Sequence, residues 1–252
     1  MKVRIMELLY LMPGAGMPSD EIERREEVTS SLTRQGTRVT VEEVGEGPLS
    51  IESAIEEYIS IGPMLKRLYK IRREKKYNAI IIGCAGDPGL RAARELMDVP
   101  VIGPAESSYH FACMIADRFS VITPMQAGVA SADEVTARIR EMGLSGRLAS
   151  VEFVDIPVAE MWTDDSAVVT KLATKAIKRA EESGAGCVVL GCMSMAFRTA
   201  RSAWRGVSIP VVNPLKVAIK TAECFVDLGV QHSRVTYPAA DLEKLVGTVF
   251  KD

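Results

Sequence analysis

Two cysteines occupy matching places in the chain. Cys84 ends the run Ala-Ile-Ile-Ile-Gly-Cys (79–84), and Cys192 ends Cys-Val-Val-Leu-Gly-Cys (187–192). In each, a short apolar run with the pattern of a buried strand reaches a glycine and then a thiol, and a helical pattern follows. A helix N-terminus presents free N–H groups and a partial positive charge, which favours a thiolate. One sulfur on each face of a substrate suits a specific reaction. The thiolate removes a proton from an acidic carbon, and the other thiol delivers a proton to the opposite face, inverting the stereocentre. An ordinary thiol pKa near 8.5 needs only modest lowering for this work, and the pair is expected to titrate as a coupled system. Backbone N–H groups of the two Gly-Cys turns could steady the carbanion, as an oxyanion hole does.

Other chemistries fit less well. Cys113, Cys187 and Cys224 read as small buried hydrophobes: one heads a strand, and two lie on apolar helix faces. Neither His110 nor His232 stands at an expected strand end, where a Cys-His hydrolase needs its base. No pair has C-x-x-C spacing, and two histidines make a structural zinc site a poor fit; the metal expectation is none. A disulfide between Cys84 and Cys192 stays compatible with the sequence. Asp87 reads as the N-cap of the helix opened by Pro88. Pro-Gly-Ala-Gly-Met-Pro-Ser (13–19) matches no phosphate-loop pattern and reads as a tight turn facing the substrate. Nothing marks Lys216 or Lys220 as a Schiff-base lysine. Residues 66–77 concentrate Lys and Arg, but Leu65, Leu68 and Tyr69 fit a buried helical stripe, leaving a solvated basic face.

The elements that must position these sulfurs alternate. Strands are expected in KVRIMELLYL, TRVTVEEV, AIIIG, VPVIG, FSVIT, ASVEFVDI, CVVLG and SIPVV. Helices are expected between them: after Ser19 as N-cap and up to Gly36; two stretches over 51–76 broken near Gly62-Pro63; 88–97; 105–117; one opened by a Ser131/Glu134 capping box and stopped at Gly143; 165–183 ended by Gly184; and 214–229. Short buried strands alternating with helices imply parallel sheets covered on both faces, an α/β fold. An internal repeat is also visible. The pairs 84/192, 100/210 and 13/124 lie at matching strand ends and are separated by 108, 110 and 111 positions. This implies two α/β halves related by a pseudo-twofold axis. Ligands sit outside the carboxyl ends of strands in such sheets, so a shared site between the halves would receive Cys84 from one side and Cys192 from the other.

Composition narrows the partners. The 252 residues are 47% hydrophobic and 25% charged, with net charge −2, which gives no global field toward nucleic acid or membrane. No apolar run approaches the roughly 20 residues of a membrane span. The expected protein is cytoplasmic and takes a small-molecule substrate, with no nucleic-acid or membrane partner.

The blocks EGPLSIES (46–53), GCAGDPGLRAARELMDVPVIGPAES (83–107), RFSVIT (118–123), VLGCMSM (189–195) and IPVVNP (209–214) resemble the hydantoin racemase family, within the aspartate/glutamate racemase superfamily. The resemblance implies two flavodoxin-like domains, the second inserted into the first: 1–102 with 215–252, and 103–214, with the active site in the cleft between them. It also implies racemisation at C5 of a 5-substituted hydantoin or of allantoin, no cofactor, a homo-oligomer, and Cys84 and Cys192 as the catalytic pair. Three places depart from the family pattern. Met12-Pro13-Gly14 replaces Asn-Pro-Asn, Ala85 replaces an aromatic, and Cys192-Met193-Ser194-Met195 replaces Cys-Ala-Gly-Met. Pro13, Ala85, Gly86, Met193 and Ser194 are therefore expected against the substrate, with a hydroxyl contact from Thr123, while Glu106 is expected to hold a loop. The Cys-Asn-Thr and Cys-Thr-His motifs of amino-acid racemases are absent, which favours a neutral ring over a free amino acid. Alternatives on the same scaffold are amino-acid racemisation, maleate isomerisation and arylmalonate decarboxylation. A non-catalytic two-lobed small-molecule binding protein is the non-enzyme alternative.

Overall fold

The computed structural model describes residues 5–125, 128–163, 166–200 and 204–246. The chain begins β1 (Met6–Met12), α1 (Ser19–Leu32), β2 (Thr37–Glu43), α2 (Ala54–Glu74), β3 (Ala79–Ile82), α3 (Leu90–Leu96), β4 (Val101–Ile102) and α4 (Pro104–Ile115). It continues β5 (Phe119–Pro124), α5 (Asp133–Glu141), β6 (Leu148–Val154), α6 (Glu160–Thr163), α7 (Ser166–Glu182), β7 (Cys187–Leu190), α8 (Met193–Arg198), β8 (Val211–Val212), α9 (Pro214–Leu228) and α10 (Leu242–Val246). The strands form two parallel four-stranded sheets, ordered β2-β1-β3-β4 and β6-β5-β7-β8. The second order repeats the first with every strand advanced by four, so the internal repeat is a repeat of topology.

Each sheet is two-sided, because its central strands carry apolar side chains at successive positions. Leu8, Tyr10, Ala79 and Ile81 face a core closed by Val28, Ala218, Ile219 and Ala222 of α1 and α9. Leu9, Leu11, Ile80 and Ile82 face Met64, Leu68, Ile71, Ala93 and Leu96 of α2 and α3. In the second sheet Ile122, Val188 and Leu190 pack on Val169, Ala173, Ala176 and Ile177 of α7, while Phe119, Val121 and Val189 pack on Tyr109, Ala112, Val135 and Ile139 of α4 and α5. Helix α9 follows β8 of the second sheet but packs on β3, β4 and α1 of the first lobe. Helix α8 joins the lobes: Met193, Ala196 and Phe197 enter the first core and Met195 the second. Tyr10 and Phe197 meet edge to face, 5.4 Å between ring centres.

Several local expectations change. Residues 54–74 form one helix, with Pro63 inside it. The stripe Ser60, Met64, Leu68, Ile71 is continuous and buried, and Ile59, four residues before the proline, is exposed; packing on one side and water on the other tolerate the missing hydrogen bond. The expected cap Ser19 is the first helical residue of α1, behind Pro18, and makes no side-chain cap. Ser131 accepts a bond from the Asp133 N–H at 3.4 Å instead of closing a box with Glu134, and Ala132 is the residue before α5. Helix α3 starts at Leu90, with Gly89 before it and no side-chain cap. Asp87 caps a different helix: its carboxylate accepts from the backbone N–H groups of Ala105 and Glu106, in the first turn of α4. The close approach is possible because residue 103 is glycine; a Cβ there would stand 2.4 Å from the Asp87 carboxylate. Cys187 is fully buried as expected and Cys113 half-buried, but Cys224 is exposed, because α9 buries Leu215, Ala218, Ile219 and Ala222 and turns residue 224 off that stripe. In the basic segment, Arg67 pairs with Glu42 and Glu74, and Arg72 with Asp98. No helix among the described residues is long and apolar enough to cross a membrane. Residues 1–4 and 247–252, the ends of the first expected domain, and residue 165, the expected start of the seventh helix, lie outside the described residues.

Candidate active site

The carboxyl ends of β1 and β3 in one sheet, and of β5 and β7 in the other, converge on a single cleft. In each sheet these are the neighbouring strands where the chain order reverses, the position at which open α/β sheets bind ligands. The cleft has an interior volume of about 150 Å³, room for roughly ten water molecules. Cys84 and Cys192 both line it, and so do Pro13, Ala85, Gly86, Thr123, Met193 and Ser194. The structure thus brings every residue expected against the substrate to one cavity. Glu106 lies elsewhere, paired with the buried Arg94.

The two cysteines are held differently. Cys192 is the cap residue of α8 and makes no side-chain cap hydrogen bond, though the nearby backbone N–H groups of Met195 and Ser194 favour its thiolate. Cys84 has no helix directly behind it. It sits in a turn in which its carbonyl accepts from the Asp87 N–H at 3.1 Å, and its sulfur receives the Gly86 N–H at 3.3 Å. The turn is anchored from below by Tyr10, whose hydroxyl donates to the Gly83 carbonyl at 3.1 Å. The Gly86 N–H points at the Cys84 sulfur, and the N–H groups of Gly83 and Gly191 are used by the Leu11 and Ile122 carbonyls of the sheets.

Burial also corrects the expected thiol acidity. It pushes Cys84 up to about 12, against the lowering pull of the Gly86 N–H and the Arg138 guanidinium. It also raises Cys192, against the N–H groups of Met195 and Ser194 and the charge of Arg25. Burial thus disfavours the thiolate at both sulfurs.

Residues not singled out from sequence complete the wall. Arg25, on α1, lines the cleft and is bound by Glu21 at 2.9 Å, the Met12 sulfur at 3.4 Å and the Ser194 hydroxyl at 3.0 Å. Trp162 donates its indole N–H to the same hydroxyl at 2.9 Å. Ser194 Oγ thus spends both lone pairs on protein donors and keeps one O–H. Arg138, on α5, reaches across to Glu57 of α2 at 3.2 Å. Glu43, Glu52 and Glu134 add three more carboxylates. The loop through residues 44–53 closes one side. Its Pro48 carbonyl stands 2.5 Å from where a Cβ of residue 14 would be, so the glycine of Met12-Pro13-Gly14 is what lets this loop lie against the first strand's end. Among the described residues, no group of three His, Cys, Asp or Glu side chains is placed to hold a metal ion.

Two thiols lining one cleft at the strand ends of a duplicated α/β chain invite comparison with known proteins. The Asp/Glu/Hydantoin racemase family model matches residues 22–222, most of the chain. The chain belongs to the Asp/Glu/hydantoin racemase family. Racemases are isomerases, and this is the class of the enzyme. Over 225 residues the family member is 33% identical to a hydantoin racemase of Pseudomonas sp. (strain NS671), covering 89% of this chain and 88% of that one. It is 29% identical to a hydantoin racemase of Paenarthrobacter aurescens, covering 95% and 99%. Among solved structures it is similar to an allantoin racemase from Klebsiella pneumoniae, with a TM-score of 0.82, 28% identity and coverage of 94% and 95%. One signal in the racemase sequence could have found the missed arginines: Glu21-x-x-x-Arg25 recurs as Glu134-x-x-x-Arg138.

Proposed function

We propose that this racemase inverts the C5 stereocentre of a 5-substituted hydantoin or of allantoin by two-thiol proton transfer. The observation that carries the reading is the common cleft lined by Cys84 and Cys192 from equivalent points of the two lobes. One sulfur, as thiolate, takes the C5 proton and becomes a thiol. The electron pair left on carbon spreads into the adjacent ring carbonyl as an enolate. The other thiol gives its proton to the opposite face and becomes the thiolate. The ring leaves inverted, and the protonation states of the two sulfurs are exchanged.

Electrostatics support a neutral ring. The cleft is lined by two arginines, Arg25 and Arg138, and four glutamates, Glu43, Glu52, Glu57 and Glu134. Both arginines already hold a carboxylate. A dicarboxylic amino acid or an arylmalonate would enter with one or two negative charges against this lining, whereas a hydantoin offers N–H donors to it. The enzyme needs no cofactor in this scheme.

Racemisation of hydantoins, allantoin, aspartate and glutamate followed by polarimetry tests the substrate class. In D2O each enantiomer of the true substrate gains deuterium at C5 as it inverts. Cys84→Ser and Cys192→Ser each abolish inversion, and residual exchange, where it survives, favours opposite enantiomers in the two variants. Inversion persisting in either variant refutes the two-thiol scheme. Activity on glutamate or aspartate alone refutes the ring.

A further inference from the structure

The duplication of the chain extends beyond its sheets. Glu21 to Glu134 and Arg25 to Arg138 are each 113 positions, the same offset as from Met6 at the start of β1 to Phe119 at the start of β5. Helices α1 and α5 follow the first strand of their respective sheets, so these are equivalent elements. Each arginine leaves its own lobe. Arg25 of the first lobe bonds the Ser194 hydroxyl, in the turn that holds Cys192 of the second. Arg138 of the second lobe lies over Gly86, in the turn that holds Cys84 of the first. A Cβ on Gly86 would be 3.4 Å from the Cys84 sulfur and 3.5 Å from Arg138 Nη2, so sulfur and guanidinium are within about 7 Å.

We propose that Arg25 and Arg138 are a crossed pair of positioning residues, each carried by one lobe to hold a positive charge against the cysteine of the other. The inference rests on the reading of the two sulfurs as acid and base. Its chemical content is that the thiolate at either sulfur is stabilised from across the cleft, so the sulfurs are chemically competent only with both lobes in place. The charged and titratable groups around Cys84 include Arg138 from α5, Glu57 from α2 and the Cys192 sulfur, Tyr10 of β1 below, and Asp87 and Tyr109, which also face Arg138. Those around Cys192 include Arg25 from α1 with its carboxylate partner Glu21, Glu52 from the loop before α2, and again Tyr10. In each set an arginine is the charge that favours the thiolate. The two sites are not identical: Arg25 is buried and tied on three sides, while Arg138 is held by Glu57.

The test needs no substrate. Native enzyme and variants are labelled with iodoacetamide at pH 8, and the rate at each cysteine is followed by peptide mass spectrometry. A nearby opposite charge lowers an acid's pKa by about 1–3 units, and one unit is tenfold in thiolate fraction. Arg138→Gln is expected to slow labelling of Cys84 about tenfold or more, with a smaller effect on Cys192. Arg25→Gln is expected to do the reverse, and Arg138→Lys and Arg25→Lys to recover most of the loss. Simple loosening of the fold gives the opposite sign, since it opens the sulfurs to reagent. Exposed Cys224 is the internal rate standard, and labelling of fully buried Cys187 reports unfolding. Should the Gln variants unfold, Glu57→Gln carries the test: it frees Arg138 from its carboxylate and is expected to speed labelling of Cys84, leaving Cys192 near the wild-type rate. Unchanged rates at the opposed sulfur, or equal changes at both, overturn the inference. Shifted labelling in an enzyme that racemises no hydantoin keeps the crossed pair and refutes the substrate; normal racemisation with unshifted labelling does the reverse.

Discussion

Cys84 and Asp87 stand three positions apart and show how strongly burial sets the chemistry of single groups. Burial raises both sulfurs, Cys84 to about 12, so thiolate is scarce at neutral pH and grows with pH. The expected outcome is a kcat/KM that climbs close to tenfold per pH unit between about pH 6 and 8, measured from initial rates of optical rotation. A flat profile over that range would mean the sulfurs ionise far more readily than their surroundings dictate. Asp87 is raised by burial from 3.8 to about 6, against the two N–H groups it accepts. Asp87→Ala removes the cap of α4 and is expected to cost about 1–2 kcal/mol at pH 5 in denaturant unfolding. The sign of its pH dependence follows from the raised value. The wild-type advantage is full below the unfolded value near 3.8 and declines as pH rises through about 6. The sequence showed that Asp87 caps a helix. That the helix is α4 could not be read, because the capped N–H groups lie 18 and 19 residues away.

At the scale of elements, period and punctuation located nearly every strand and helix, and glycines at 143, 184 and 229 end helices or follow their ends with positive φ. The failures share a cause. Local signals at Ser19, Gly62-Pro63 and Ser131 reflect only their own few residues, whereas packing decides whether a helix pauses there. The buried stripe of α2 carries it through Pro63. Gly62 in the same turn has open space around its missing Cβ and no positive φ. Gly62→Ala is therefore expected to stabilise the protein by about 0.5–1 kcal/mol, read from the urea midpoint at unchanged slope. A loss of stability there would show that glycine relieves the proline next to it.

Across the whole molecule the lobes are tied by charge as well as by α8. Glu21 of α1 holds Arg24 and Arg25 of its own helix and Arg198 of α8. Burial pushes its carboxyl up, but the arginines outweigh that and hold it below the ordinary glutamate value. Glu21→Ala leaves the buried Arg25 without its carboxylate, and is expected to cost about 3–5 kcal/mol. Because the folded value is depressed, the contribution of Glu21 is present above the ordinary value of 4.5 and lost as pH falls through the folded one. Denaturant unfolding of wild type and variant at pH 7 and pH 3 checks this: the gap between them is expected to narrow in acid.

The linear chain by itself determined the α/β class, the duplication, and the two thiols at equivalent strand ends. Strand burial, helix period and turn chemistry act over a few residues, and a repeat needs only comparison of the chain with itself. Tertiary structure decided what surrounds those thiols: the carboxylate-rich lining, the loop carbonyl that makes residue 14 a glycine, and Arg25 set against a serine 169 residues away. Charge and burial at the sulfurs come from groups brought in by folding, and no local pattern records which lobe will supply them.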